Sequence, residues 1–237
     1  MLNNLLSYFS PLTVEVPFRL RRRVTQRIAG NRELGYVYIR IPKAANSTVT
    51  KTLVKYSQEE IASDEDGKNA KSSFVNWTEL GCLTSSCLTK KYFTFAFFRN
   101  PYSRVLSAFL DKMANGSNQF TKKIAKRIGG QNWSFEEFIS YLEKGGLYDD
   151  IHWAPQTKIC PIPIGDLNFI GKVESIDQDL KYVIEHIFGK ESFMGVDKKM
   201  VGIMGAADKL DDYYTSDLKK RIEVLYFKDF QLLAYEP

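Results

Sequence analysis

The sequence predicts an α/β fold with a central parallel sheet and helices on either side. Three observations carry this. Strand-like runs at 36–41 and 91–98 each pass through a short turn into a helical pattern. An intervening segment separates the two strand-to-helix units, the arrangement of a parallel sheet. Of 237 residues, 44% are hydrophobic and 14% aromatic, enough for a sizeable core and against disorder of the whole chain. The net charge of +5 leans toward an anionic partner such as a nucleotide, a phosphorylated donor or an acidic glycan.

Residues 1–30 read as a basic extension ahead of a single domain over 31–237. Arg19, Arg21, Arg22, Arg23 and Arg27 cluster around Leu20 and Val24. Such a cluster can meet an acidic membrane surface or glycan, or it can be the solvated face of a helix. The opening stretch is apolar but short, with positive charges after it, the reverse of a signal peptide. No run approaches the roughly 20 apolar residues of a transmembrane span, so the expected location is cytoplasmic. Four Asn-x-Ser/Thr triplets, at Asn46, Asn76, Asn115 and Asn132, are then chance matches. Cys82, Cys87 and Cys160 allow one disulfide or none, and with only His152 and His186 beside them they make a poor zinc set.

The first strand, 36–41, alternates aromatic and β-branched residues until Pro42 stops it. Lys43, Ala44, Ala45, Asn46, Ser47 and Thr48 follow, and then a helical pattern with Val49, Leu53 and Val54 on one side. A strand, a tight small-residue turn and a helix aim backbone N–H groups and the positive end of the helix dipole at one spot, a natural anion site. Lys43 adds a mobile charge at its mouth. Ser47 and Thr48 offer hydroxyls to a ligand, or one of them simply caps the helix. The loop has no glycine and its lysine comes first, so it is not a Walker A loop.

Polar residues at 57–73 read as a loop. The aromatic run 91–98 suits a buried strand and leads into Arg99-Asn100-Pro101, with Pro101 at a first helical position. Tyr102, Val105, Leu106 and Phe109 form the apolar stripe of the helix that follows. Both loops should meet at the carboxyl ends of the strands, where ligands collect. Helices are expected at 120–128 and 135–142, the second opened by a capping box of Ser134 and Glu137. Pro155, Pro161 and Pro163 keep 151–165 irregular. A short strand at 168–172, an amphipathic helix at 176–188 ended by Gly189, and a closing helix at 213–230 complete the chain. The latter presents Leu218, Ile222, Leu225 and Tyr226 on one face, and the stretch 195–205 before it, with Lys198, Lys199, Gly202 and Gly205, is a candidate flap.

The second unit, Arg99-Asn-Pro-Tyr-Ser-Arg-Val-Leu-Ser-Ala-Phe109, sets an arginine at a strand end and Ser107 eight positions on, on the helix face shared by Arg104. Arg99 can fork two hydrogen bonds onto a phosphate and Ser107 can add a donor. A ligand with two separated phosphate groups would use both loops. This combination resembles the sulfotransferase superfamily: the first loop is similar to its 5′-phosphosulfate loop, and Arg99 to Phe109 to its 3′-phosphate motif. Three further stretches resemble the carbohydrate branch, the group of the HNK-1 and chondroitin/dermatan 4-O-sulfotransferases. They are His152-Trp-Ala-Pro-Gln-Thr-Lys-Ile-Cys160, Asn168-Phe-Ile-Gly-Lys-Val-Glu174 and Leu225-Tyr-Phe-Lys-Asp-Phe230. The loop departs from the pattern in carrying Ala45 where many relatives have Gly.

The resemblance implies a P-loop-like three-layer fold and transfer of a sulfuryl group from 3′-phosphoadenosine 5′-phosphosulfate (PAPS) to a carbohydrate hydroxyl. It implies donor binding by Lys43, Ala44, Ala45, Asn46, Ser47, Thr48, Arg99 and Ser107, with neither metal nor nucleic acid involved. Lys43 is the candidate for stabilising charge on the bridging oxygen. His152 is the candidate general base, with Asp149, Asp150 or Glu174 in reserve. His186, Trp153 and Cys160 read as structural. Two other readings are a Mg²⁺–ATP-dependent kinase and a non-catalytic binder of anionic glycans working through Arg19 to Arg27.

Overall fold

The computed structural model describes residues 7–57, 74–114, 133–189 and 204–237. The expected helix at 120–128, nearly all of the loop at 57–73, and the flap residues Lys198, Lys199 and Gly202 lie outside these residues, as do Asn115 and Asn132.

A four-stranded sheet in the order β1-β2-β3-β4 forms the centre. Strand β1 (Ile28–Asn31) runs antiparallel to β2 (Tyr36–Ile39), which pairs in parallel with β3 (Phe93–Phe98), and β3 with β4 (Phe169–Lys172). The antiparallel edge was not foreseen. Residues read as an extension supply it: Leu12, Val16, Leu20, Val24 and Ile28 are all buried in the core. Those before β1 include two 3-10 turns and the short helix α1 (Arg21–Thr25).

Alternation along β3 explains the layers. Phe95 and Phe97 face one side with Tyr36 and Tyr38, beneath Val49 and Leu53 of helix α2 (Asn46–Tyr56) and Leu180, Val183 and Ile184 of a later helix. Ala96 and Phe98 face the other side with Val37 and Ile39. There they meet Leu20, Val24, Trp77, Ile159 and Leu88, the last from α3 (Ser85–Lys91). Gly171 of β4 lies under the Phe97 ring, where a Cβ would come within 2.6 Å of it. At the start of β3 and β4, the Asn168 amide oxygen accepts from the Thr94 backbone and hydroxyl at 2.8 and 2.7 Å. A disulfide joins Cys82 to Cys87, just before and within α3.

The helices flanking the carboxyl edge form a second core. Helix α4 (Pro101–Lys112) opens as expected, with Pro101 in its first turn and the Asn100 side chain accepting from the Tyr102 amide. Helix α5 (Phe135–Glu143) carries the full Ser134–Glu137 capping box. The short α6 (Gln156–Ile159) lies inside the proline-rich stretch, and α7 (Ile176–Phe188) stops at Gly189. The closing helix is broken into α8 (Leu210–Tyr213), α9 (Ser216–Leu225) and α10 (Phe227–Leu232). Thr215 explains one break, since its side chain accepts from the Leu218 amide and starts α9 afresh. Trp153 is fully buried among Phe138, Tyr141 and Tyr226, with its indole N–H on the Gly146 carbonyl at 2.9 Å.

Candidate active site

Parallel register brings the two phosphate-type loops together. Ile39 pairs with Ala96, so Pro42 and Arg99 leave the sheet at the same level on neighbouring strands. This is the carboxyl edge where α/β sheets bind ligands.

The loop after β2 has an unusual backbone. Lys43 and Ala45 both take the left-handed conformation, with φ of 65° and 53°. Neither is glycine, and such geometry costs about 1–2 kcal/mol per residue. Helical and left-handed turns in succession turn N–H groups toward a common point, an anion-binding nest. Ala45 is the helix cap, without a side-chain bond, so neither Ser47 nor Thr48 serves as N-cap. Both stand inside the first turn of α2. Asn46 is half-buried and Ser47 exposed. Thr48 is 1% exposed, and its hydroxyl has no hydrogen-bond partner among the described residues. A buried hydroxyl without a partner beside free helix amides is what a phosphate site presents.

The Lys43 ammonium reaches Asp111 at the end of α4, 3.0 Å away, and Lys112 holds the same carboxylate at 3.0 Å. Burial pulls the lysine below its ordinary range, Asp111 opposes this, and Lys112 and Arg99 push it down further. The Asp111 carboxyl, although partly buried, is held below its usual range by the two lysines. Asp111 escaped the sequence reading because nothing in chain order links it to Lys43.

Arg99 is 3% exposed. Its Nε donates to the Ser103 hydroxyl at 2.9 Å, while its backbone exchanges two hydrogen bonds with the Gln156 amide, at 3.0 and 2.8 Å. Ser107 is half-buried one turn beyond Ser103 on the same side of α4. Arg104 points elsewhere. It is fully buried and donates to the carbonyls of Pro42, Ala154 and Ile151 at 2.9, 2.9 and 3.1 Å.

That bracket places His152 beside the loop. The Asp150 carboxylate, itself 1% exposed, accepts from the His152 amide at 2.9 Å and faces its Nδ1 at 2.5 Å. Arg23 of α1 pairs with the same carboxylate. With Nδ1–H directed at Asp150, Nε2 is left as the proton acceptor. Burial is the largest effect on the imidazole and takes it below the ordinary histidine range, against the upward pull of Asp150; Lys112 and Arg27 add smaller downward pushes. Lys112, at the end of α4, pushes both His152 and Lys43 down.

The remaining candidates lie apart or are occupied. The exposed His186 packs against Phe93 with ring centres 3.9 Å apart and the planes tilted by 31°, at the opposite end of β3. Glu174 accepts from the Asn100 amide and the Tyr235 hydroxyl at 2.8 and 2.9 Å. Asp149 pairs with Arg19 and accepts from Tyr141. Burial pushes the free Cys160 thiol up to about 12. Among the described residues, no group of three or more His, Cys, Asp or Glu is placed to hold a metal ion.

The fold and this pair of loops are of the kind expected for the sulfotransferase family, and residues 26–236 match the family model described as "Sulfotransferase family". The chain belongs to that family. Its sequence is 25% identical over 234 residues to carbohydrate sulfotransferase 14 of Danio rerio, covering 91% of this chain and 64% of that protein. It is 32% identical over 107 residues to human carbohydrate sulfotransferase 9, covering 38% of this chain and 24% of the relative. To carbohydrate sulfotransferase 10 of Xenopus laevis it is 23% identical over 232 residues, covering 84% and 64%. The chain thus spans less than two thirds of the length of these relatives. No solved structure matches it.

Proposed function

We propose that this chain transfers a sulfuryl group from PAPS to a carbohydrate hydroxyl. The observation that carries the reading is the buried, unpartnered Thr48 hydroxyl set in a left-handed loop at the start of α2, one strand away from Arg99. The amides of Ala45 to Thr48 and the Thr48 hydroxyl would hold the 5′-phosphosulfate. Arg99 and Ser107 would take the 3′-phosphate; with Arg99 so buried, the chain around Glu174 and Tyr235 would have to open for it. The donor supplies an activated sulfuryl group whose leaving oxygen gains charge. Lys43, exchanging Asp111 for that oxygen, stabilises the transition state more than the ground state. Nε2 of His152 removes the proton of the attacking hydroxyl while Asp150 holds the ring. The carbohydrate acceptor follows the names of the relatives.

The test is calorimetric titration with adenosine 3′,5′-bisphosphate, 5′-AMP and ATP–Mg²⁺. The bisphosphate should bind best, and Arg99→Ala should weaken it about tenfold or more. Thr48→Val should show two effects of opposite sign. Removing an unsatisfied buried hydroxyl leaves the free protein as stable or more so, while bisphosphate affinity falls by about 1 kcal/mol. Binding of ATP–Mg²⁺ without the bisphosphate would replace this reading with a kinase.

A further inference from the structure

Lys112, the last residue of α4, has no part in the chemistry described so far. Counted from Arg104, the residues Ser107, Asp111 and Lys112 recur at the spacing that keeps side chains on one face of a helix. From that face Arg104 binds the carbonyls of Pro42, Ile151 and Ala154, so the Lys43 loop and the His152 segment both abut it. Two turns on, a single carboxylate oxygen, Oδ2 of Asp111, pairs with the ammonium groups of Lys43 and Lys112, at 3.0 Å each. The two ammonium groups are therefore neighbours. Lys112 carries three donors on a flexible stem, so a bond to Asp111 does not exhaust it. Its side chain is 22% exposed, sheltered enough for its charge to be felt strongly by what lies beside it. His152 and Lys43 both feel that charge, each being pushed down by it. In-line transfer sets the attacking and leaving oxygens on opposite sides of sulfur, with the non-bridging oxygens between them. His152 would serve the first and Lys43 the second. Lys112 borders both, which suits it to the oxygens between.

We propose that Lys112 binds the non-bridging oxygens of the transferring sulfuryl group, a role that rests on the transferase reading. As the acceptor oxygen bonds to sulfur, the bond from sulfur to the departing phosphate oxygen breaks and its electron pair stays on that oxygen. The hydroxyl proton passes to His152. Lys112 gives and takes no proton; its charge offsets that of the sulfuryl oxygens. Asp111, with its side chain 45% exposed, has room to turn toward solvent as the sulfuryl group arrives. Adenosine 3′,5′-bisphosphate lacks the sulfuryl group and is therefore the control. PAPS and the bisphosphate are titrated separately, without acceptor, into wild type, Lys112→Ala and Lys112→Arg. Lys112→Ala should weaken PAPS about tenfold and leave the bisphosphate within about twofold. Lys112→Arg should keep most of the PAPS affinity, and unchanged bisphosphate binding reports an intact fold. Equal losses for the two nucleotides would make Lys112 a phosphate ligand or a prop of the loop. No loss for either would place it outside the site, and an arginine variant as weak as the alanine one would show that its charge is not what binds. Each of these overturns the proposal alone, provided that wild type binds both nucleotides. Wild type that binds neither sinks the transferase reading, and this proposal with it.

Discussion

Burial and Asp150 pull the His152 imidazole in opposite directions, and burial is the larger. The ring therefore titrates below its ordinary 6.5 and is neutral at pH 7. As a base, it should give kcat/KM an acidic limb lying below 6.5. The sign for stability is the same. A folded-state value below the unfolded one contributes stability that is present above 6.5 and lost as pH falls through the folded value. Asp150→Asn removes the upward pull, so the limb should move to lower pH while kcat falls about 10²-fold or more from lost orientation, measured as a pH–rate profile. An unchanged profile with reduced kcat would make Asp150 merely structural. His152 and Asp150 were both legible as candidates in the sequence, but as alternatives. Only the fold shows one holding the other, because adjacency in chain order does not say which way a carboxylate points. Asp111 gave no sequence signal, since its partner Lys43 comes from elsewhere in the chain.

At the level of elements, the loop between β2 and α2 is where strain and the proposed binding coincide. Ala45 sits at φ 53°, a conformation that glycine adopts without penalty. Replacing it by glycine relieves about 1–2 kcal/mol of local strain and adds about 0.5–1 kcal/mol of unfolded-state entropy. The expected result of Ala45→Gly is a net gain of about 0.5–1 kcal/mol in denaturant unfolding, with bisphosphate affinity kept. A loss of stability would mean that the Ala45 methyl contributes packing that outweighs the strain. The strand–loop–helix layout could be read from Pro42, the small residues and the spacing of Val49 and Leu53. The cap could not: Ser47 and Thr48 have the right chemistry, but the left-handed turn begins the helix before them. The closing helix failed for a related reason. Its apolar period runs through Thr215, whose hydroxyl prefers to cap a new helix than to sit within one.

Across the molecule, the stretches that carry the family resemblance prove to be joined to one another. Asp229 is fully buried and accepts from the Gln156 amide, the Thr157 amide and the Thr157 hydroxyl at 2.7, 2.9 and 2.7 Å. Gln156 in turn clasps the Arg99 backbone. The Leu225–Phe230 segment thus positions the Arg99 backbone through Gln156. Asp229→Ala leaves buried donors unpaired and should cost about 2–4 kcal/mol in unfolding free energy. A loss within 0.5 kcal/mol would show that the clasp is maintained by other means. The Cys82–Cys87 bond bears on compartment, because such bonds persist in oxidising surroundings and are rare in the cytosol. Among the described residues, no helix is long and apolar enough to cross a membrane. Thiol labelling of the protein from its native source would decide whether the pair is oxidised there, against the cytoplasmic expectation.

Arg104 has a consequence for timing as well as for shape. Its guanidinium grips the carbonyl before Lys43 and two carbonyls around His152. The charged group that would receive the leaving oxygen and the ring that would accept the proton are therefore mounted on a common axle, helix α4. A shift of that helix would act on both through one side chain. In the proposed transfer, the groups that would remove the proton and receive the leaving oxygen thus share one support.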